Sequence, residues 1–133
     1  VRKINNTNDD FSKETILKNN YSIIQECIKS VEHYNFVVVS VISPYEETRQ
    51  YARKLLKDRY FEIYVKCSVE ELIQRDTKGL YRKALRGEID NLIGFSKKLV
   101  YEEPRNSNLV IRSDQMNIEN AGSWILSHLP INL

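Results

Sequence analysis

The side chains most able to do chemistry lie in one basic segment, residues 75–86. Five cations fall within these twelve residues: Arg75, Lys78, Arg82, Lys83 and Arg86. Phosphoryl transfer is catalysed mainly by positioning and by cations that stabilise charge on the moving group. A mobile basic segment bracketed by Gly79 and Gly87 therefore fits a lid that closes over polyphosphate. If a helix begins early in this segment, Lys78 and Arg82 share one of its faces. A solvated basic helix is the alternative, because charge runs usually face water.

A second candidate site is the turn Ile42-Ser43-Pro44. It follows an apolar, β-branched run at residues 36–42, which is typical of a strand in the middle of a parallel sheet. In open α/β sheets ligands bind beyond the carboxyl ends of the strands, and backbone N–H groups of such a turn can hold an anion. The alternative is a strand that merely ends at a Ser-Pro turn.

The elements that must position these two segments alternate along the chain. Periodicity and capping residues predict helices over about 12–31 and 46–57, a helix starting at Ser68, and a closing helix with Ile118, Ala121, Ile125 and Leu129 on one face. Strands are predicted at 36–42, 61–65 and 109–111. The order predicts an α/β fold, a parallel sheet with helices on both faces. Three strands are few for such a sheet, so we expect its N-terminal strands to be missing from this chain.

Bulk composition argues against several classes of protein. Lys and Arg total 20 against 18 acidic residues, and a net charge of +2 is too small to indicate a nucleic-acid or anionic membrane surface. The longest apolar run is far shorter than the roughly 20 residues of a membrane span, and no signal-peptide pattern opens the chain. We therefore expect a cytoplasmic protein without nucleic-acid or membrane partners. Cys27 and Cys67 lack metal-ligand spacing, so we expect no metal site within the chain.

The two candidate segments together resemble the adenylylsulfate kinase family. The family's strand-end I-S-P turn corresponds to residues 42–44, and its lid motif R-D-P-K-G-L-Y-x-K-A corresponds to residues 75–84. Arg2 matches the arginine that follows the family's D-G-D. Phe11 matches the phenylalanine of its G-F-S, and Asn19 matches the asparagine of its E-N-x-R helix. The resemblance covers nearly the whole chain.

The resemblance implies a three-layer P-loop kinase fold and an ATP-dependent kinase that acts on the ribose 3′-hydroxyl of a nucleotide with a modified 5′ phosphate. ATP and Mg²⁺ are the implied cofactors, a small nucleotide is the implied partner, and a homodimer is left open. Residues 1–133 would form one domain with a lid at about residues 75–90. Arg75 and Lys78 would clamp the transferring phosphate as catalytic cations, with Arg82 beside them in the lid. The implied acceptor-binding residues are Arg2, Phe11, Asn19, Ile42, Ser43 and Leu92.

The family's phosphate-binding loop, G-x-x-G-x-G-K-[ST], is absent from the sequence. The chain has 4 glycines, and none precedes a Lys-Ser or Lys-Thr pair. The aspartate of D-G-D, the expected general base, is absent as well. We therefore expect this chain to be inactive by itself and the natural gene product to extend upstream by roughly 35 to 40 residues, the length of a βαβ start.

Positions on the acceptor side depart from the family pattern. Ile16 stands where the family has an arginine that meets the acceptor, and Leu92 replaces the phenylalanine that faces Phe11 across the adenine. A charge-assisted contact contributes about 1.5–3 kcal/mol, and base stacking contributes about 1–3 kcal/mol. Residues 95–102 are also longer than the family's I-D-x-P-Y-E. Because the lid is kept, we predict a kinase whose acceptor has changed.

A branch that fits this description is the cytidine diphosphoramidate kinase of capsular phosphoramidate synthesis, and cytidine 5′-diphosphoramidate is the acceptor that the sequence favours. The first alternative is an adenylylsulfate kinase that makes 3′-phosphoadenylylsulfate in sulfate assimilation. The second alternative is a non-catalytic nucleotide-binding module. A nucleic-acid binder has the least support, because several stacking aromatics do not alternate with the cations.

Overall fold

The computed structural model describes residues 12–130, in which helices alternate with two short strands. The helices are α1 Lys13–Ser30, α2 Glu46–Leu56, α3 Val69–Arg75, α4 Leu80–Leu85 and α5 Ile118–His128. The strands are β1 Ile63–Lys66 and β2 Leu109–Arg112, and a 3₁₀ turn, Lys57–Arg59, follows α2. No helix formed by residues 12–130 is both long and apolar enough to cross a membrane.

Side-chain caps fix where the helices begin. Ser12 caps α1 by accepting a hydrogen bond from the backbone N–H of Thr15 at 3.3 Å. Ser68 caps α3 by accepting from the N–H of Glu71 at 3.4 Å. Each such cap contributes about 1 kcal/mol by satisfying a donor that the helix leaves free. The predicted helix starts at Ser12 and Ser68 are confirmed.

The two strands pair in parallel, with Ile63 opposite Leu109 and Lys66 opposite Arg112. The connection between them contains α3 and α4, and α5 then contacts β2. Parallel strands joined through helices define an α/β fold, so the predicted fold class is confirmed. Side chains alternate along β2: Ile111 is buried at 2% exposure, whereas Val110 is 47% exposed.

The predicted strand at residues 36–42 is not formed, so this prediction is wrong. This segment forms no ladder with β1 or β2 and is not assigned as a strand. Its apolar side chains are mostly exposed, with Val38 at 92% and Ile42 at 62%. A strand exists only where a neighbour receives its backbone N–H and C=O groups, and residues 12–130 place no such neighbour beside this segment. The segment is apolar and β-branched, but its predicted burial on both faces is wrong.

A small apolar cluster ties α1 to two loops. Ile16, Tyr45 and Leu99 are buried together, with Leu17 and Ile93 packed against them. On α5 the predicted apolar face is only partly inward, because Ile118 is 91% exposed at the start of the helix. The buried apolar residues of the described part therefore lie on α1, α2 and β2, in the turn before α2 and in the loop after α4, and none lies on α5.

The alternation along β2 yields a stability prediction. Ile111→Ala should lower the free energy of unfolding by about 2–5 kcal/mol, because truncating a fully buried isoleucine leaves a cavity. Val110→Ala is the matched control on the opposite face of the same strand and should change it by less than about 1 kcal/mol. Urea unfolding of both variants measures the difference. Equal losses would show that the two faces of β2 are not distinguished by burial.

Candidate functional site

The predicted lid, residues 75–90, is organised around the carboxylate of Asp76. This residue ends α3, and its two oxygens accept hydrogen bonds from the backbone N–H groups of Tyr81 and Arg82, each at 3.0 Å. Gly79, which lies between Asp76 and Tyr81, has φ +68°, a left-handed conformation that residues other than glycine rarely adopt. Asp76 thus satisfies free donors in the first turn of α4 and sets the direction in which that helix leaves the turn.

The environment of Asp76 favours its charged form. Desolvation acts to raise the pKa of this carboxyl group, but hydrogen bonds from the N–H groups of Arg82 and Tyr81, with the Arg82 side chain, hold the pKa below its ordinary value. The lid turn is therefore built on an ionised carboxylate.

The three predicted lid cations differ in what they contact. Arg75 donates from Nε to Glu71 at 2.8 Å and from Nη2 to the carbonyl of Ser113 at 2.8 Å, so it fastens α3 to the end of β2. Arg82 lies 3.4 Å from the Asp76 carboxylate. Lys78 is exposed and forms no hydrogen bond or ion pair within residues 12–130. Of these three, Lys78 is the cation free to meet a ligand.

The predicted sharing of a helix face by Lys78 and Arg82 is wrong. It required the helix to begin early, and α4 begins only at Leu80, after the left-handed Gly79. Lys78 therefore projects from the turn and not from the helix. A turn residue is less constrained than a helix residue, which agrees with a group that moves to reach phosphate.

The turn Ile42-Ser43-Pro44, called the acceptor turn after its predicted role, forms hydrogen bonds with the side chain of Asn20. The carboxamide Nδ2 lies 3.4 Å from the carbonyl oxygen of Ile42 and 3.5 Å from the hydroxyl of Ser43. Ser43 also shares a hydrogen bond with the fully buried hydroxyl of Thr48 at 3.1 Å, and Thr48 donates to the carbonyl of Tyr45 at 2.9 Å. Buried polar groups thus bend the chain at the point where residues 36–42 end.

Sequence reasoning selected Asn19 and missed Asn20. Asn19 is half-buried in α1 and makes no hydrogen bond to the turn, whereas Asn20 is 4% exposed and does. The missed signal was spacing: Ile16, Asn20 and Ile24 recur every four residues, and all three are buried. An asparagine on an apolar helix stripe indicates a buried polar contact. The acceptor role of Asn19 stays a prediction.

Residues 92–101 connect the lid with the acceptor turn. At one end the ring of Phe95 meets that of Tyr81 on α4 edge to face, with centroids 5.4 Å apart. At the other end Leu99 packs against Tyr45, the residue after Pro44. The half-buried Leu92 lies in a tight turn, where its N–H donates to the hydroxyl of Ser96 at 3.0 Å. Arg2 and Phe11, the other predicted acceptor residues, lie outside the described residues.

Within residues 12–130 no group of three or more His, Cys, Asp or Glu side chains is close enough to hold a metal ion.

Asp76 yields a pH prediction. Because its folded pKa is depressed, its contribution to stability is present above the ordinary aspartate pKa near 3.9 and is lost as pH falls through the folded value. We expect the amides of Tyr81 and Arg82 to lose hydrogen-exchange protection across that acid range. Asp76→Asn should make this loss shallower, and Asp58→Asn, on the exposed 3₁₀ turn, should leave it unchanged. Identical profiles for the wild type and Asp76→Asn would contradict the capping role.

Asn20 yields a second stability prediction. Its Oδ1 is buried without a hydrogen-bond partner in the described part of the chain, and its Nδ2 contacts are long. A buried unsatisfied group costs about 1–3 kcal/mol, so the near-isosteric Asn20→Leu should raise the free energy of unfolding by about 1 kcal/mol. Asn19→Leu is the control, with little expected change. A clear loss of stability in Asn20→Leu, measured by urea unfolding, would mean that the two contacts to the turn outweigh the unpaired oxygen.

The comparisons with known proteins agree with this geometry. The family model "Adenylylsulphate kinase" matches residues 1–112. A probable adenylyl-sulfate kinase of Aeropyrum pernix is 42% identical over 94 residues, which are 68% of this chain and 50% of that protein. A cytidine diphosphoramidate kinase of Campylobacter jejuni is 41% identical over 95 residues, 71% of this chain and 54% of that protein. Most of the curated relatives carry the name adenylyl-sulfate kinase.

Among solved structures, the Mycobacterium tuberculosis APS kinase CysC in complex with AMPPNP and APS superposes with a TM-score of 0.78 at 29% identity. The superposition covers 92% of this chain and 70% of that one. The likeness confirms the predicted P-loop kinase-like α/β fold. The chain spans only about half the length of the Aeropyrum and Campylobacter relatives. Because the family model extends over most of the chain, with both the lid and the acceptor turn inside the matched range, the chain belongs to the adenylylsulphate kinase family.

Proposed function

We propose that the protein, in the form that its gene encodes, is an ATP-dependent kinase that phosphorylates the ribose 3′-hydroxyl of a nucleotide with a modified 5′ phosphate. The observation that carries the proposal is the lid. An exposed, unpaired Lys78 stands on a turn that Asp76 and Gly79 shape, in a chain of this kinase family. A mobile cation beside the transferring phosphoryl group stabilises the charge that spreads over its oxygens.

Each lid cation has a separate task under this proposal. Lys78 reaches the phosphate directly. Arg75, engaged with Glu71 and Ser113, would have to exchange these contacts to clamp a phosphate, and until then it anchors the lid to the end of β2. Arg82 stays with Asp76 and orients α4. Lys78 is thus the mobile contact to phosphate, whereas Arg75 and Arg82 hold the segment that carries it.

ATP would supply the phosphoryl group and Mg²⁺ would screen its charge. The fit of the described residues is incomplete for both. No metal-ligand group lies within residues 12–130, and no glycine-rich loop followed by Lys-Ser or Lys-Thr occurs in the sequence. The proposal therefore requires a phosphate-binding loop from outside the 133 residues and metal ligands from outside residues 12–130. We propose no step through either group for this chain alone.

Adenylylsulfate is the acceptor that we now place first. The sequence favoured cytidine 5′-diphosphoramidate, but most of the curated relatives carry the name adenylyl-sulfate kinase, and the superposed tuberculosis enzyme was solved with APS. These observations support the first alternative of the sequence analysis, a kinase that makes 3′-phosphoadenylylsulfate.

Cytidine 5′-diphosphoramidate remains the second candidate because one observation favours it. Ile16, which replaces the family's acceptor-binding arginine, is buried against Tyr45 and Leu99 and so closes part of the acceptor side with apolar packing. The Campylobacter relative, whose name specifies this kinase, is as similar to the chain as the Aeropyrum protein over a similar length. Loss of that arginine removes a charge-assisted contact to the acceptor, which fits an acceptor that is held differently from adenylylsulfate.

The test is coupled ATP consumption by the complete gene product with each acceptor in turn. We expect turnover with adenylylsulfate, and Lys78→Ala should lower kcat by roughly 100-fold, the loss typical for removing one preorganised charge-stabilising group. Lys83→Ala, which removes another exposed lid cation, is the matched control and should change kcat little.

The possible outcomes separate the candidates. Faster turnover with cytidine 5′-diphosphoramidate would reverse the order of the two acceptors. Full activity of a Lys78→Ala, Arg75→Ala double variant would contradict the role of the lid. No turnover with either nucleotide, together with a gene that encodes no phosphate-binding loop, would favour a non-catalytic nucleotide-binding module.

A further inference from the structure

Arg49 is a buried arginine that joins three separate stretches of chain. Its side chain is 5% exposed. Nη1 donates to the carbonyl of Ser43 at 2.5 Å, and Nη2 donates to the carbonyl of Glu102 at 2.6 Å. Nη2 and Nε also donate to one carboxylate oxygen of Glu46, at 2.6 and 3.1 Å. Every nitrogen of the guanidinium is therefore engaged.

The turn and the segment around Glu102 are also connected by their backbones. The N–H of Glu102 donates to the carbonyl of Pro44 at 2.8 Å. In return, the N–H of Glu46 donates to the side-chain carboxylate of Glu102 at 2.7 Å. With the two Arg49 bonds, this clamp fixes the carbonyls of both Ser43 and Pro44 toward the protein.

The Ser43 N–H group lies on the other side of the same Cα as the carbonyl that Arg49 holds. Pro44 has no N–H, and the N–H groups of Ile42 and Ser43 form no hydrogen bond within the described residues. Successive backbone N–H groups of such a turn can hold an anion. The Ser43 N–H shares its peptide plane with the Ile42 carbonyl, which Asn20 Nδ2 contacts at 3.4 Å, and the next carbonyl, that of Ser43, is held by Arg49. Asn20 and Arg49 thus restrain the two peptide planes on either side of the Ser43 Cα.

Only an arginine can make this set of contacts. A planar guanidinium presents five donors in a rigid fork, which here meets two carbonyls and a carboxylate, whereas a lysine ammonium is a single point on a flexible stem. The charge is compensated by Glu46. Desolvation acts to raise the pKa of the Glu46 carboxyl group, but hydrogen bonds from Gln50 and Arg49 hold that pKa below its ordinary value. The Arg49–Glu46 pair therefore stays ionised.

Arg53, one helical turn further along α2, provides an internal comparison. It donates to the carbonyl of Asn106 at 2.8 Å and to Glu62 at 3.2 Å. It therefore fastens the same loop to the same face of α2 but does not contact the Ser43–Pro44 turn. The two arginines separate general anchoring of the loop from orientation of the turn.

We propose that Arg49 is a positioning residue for acceptor binding: by holding the Ser43 carbonyl and tying the turn to Glu102, it keeps in place the turn whose Ile42 and Ser43 N–H groups would meet the phosphoryl tail of the nucleotide, without touching the nucleotide itself. The inference rests on the proposed function. It goes further in assigning acceptor affinity to a residue on α2 and to the segment around Glu102, neither of which the acceptor motifs include.

The experiment measures KM for the acceptor and for ATP, and kcat, in the complete gene product carrying Arg49→Lys, with Arg53→Lys as the matched control. We expect Arg49→Lys to raise the acceptor KM about tenfold, equivalent to about 1.4 kcal/mol, with the ATP KM unchanged. Arg53→Lys should leave both KM values unchanged. Circular dichroism and urea unfolding establish that both variants are folded.

A second variant covers the case in which Arg49→Lys does not fold. Glu102→Ala removes an exposed carboxylate that holds the N–H of Glu46, and it should raise the acceptor KM by a smaller factor, again without change in the ATP KM. An unchanged acceptor KM in a folded Arg49 or Glu102 variant, or an equal rise in both KM values, would overturn the positioning role. Absence of turnover by the wild-type protein with either nucleotide would instead overturn the proposed function and this inference with it.

Discussion

The described structure depends on one buried guanidinium. Among the described residues, Arg49 is a charged side chain that is almost removed from solvent. Its partners belong to the acceptor turn, to α2 and to the segment around Glu102. Removing one partner from a buried charged pair leaves the other uncompensated, which costs several kcal/mol. The arrangement therefore tolerates little variation, and it makes the geometry of the turn depend partly on Glu102, which is 53 residues beyond Arg49 in the sequence.

The same constraint links the two halves of the site. The loop at residues 92–101 contacts α4 through Phe95 and the acceptor turn through Leu99, and its continuation at Glu102 is held by Arg49. The loop thus connects α4, the predicted lid helix, with the turn that would receive the acceptor. Such a connection is a physical route by which the two proposed substrates can influence each other's binding.

The features predictable from the sequence were those fixed locally. Ser12 and Ser68 mark helix starts because a cap acts over three residues, and the lid motif marks a turn because Gly79 must adopt a left-handed conformation. Arg49 and Asn20 escaped prediction because contacts that define their roles, Arg49 with Glu102 and Asn20 with the turn, join residues 53 and 22–23 positions apart. An arginine on an amphipathic helix looks like any solvated cation until the fold brings carbonyl groups to it.

The segment 36–42 illustrates the opposite failure. Its composition correctly identified a strand-forming sequence, but a strand also requires a neighbour, which composition does not reveal. In the described residues it is an extended run of β-branched side chains with Val38 almost wholly in water and its backbone groups unpaired in any ladder. Exposed stretches of this kind act as templates on which further chains add by strand pairing. Unless another strand pairs with these seven residues, we therefore expect them to promote self-association of the chain.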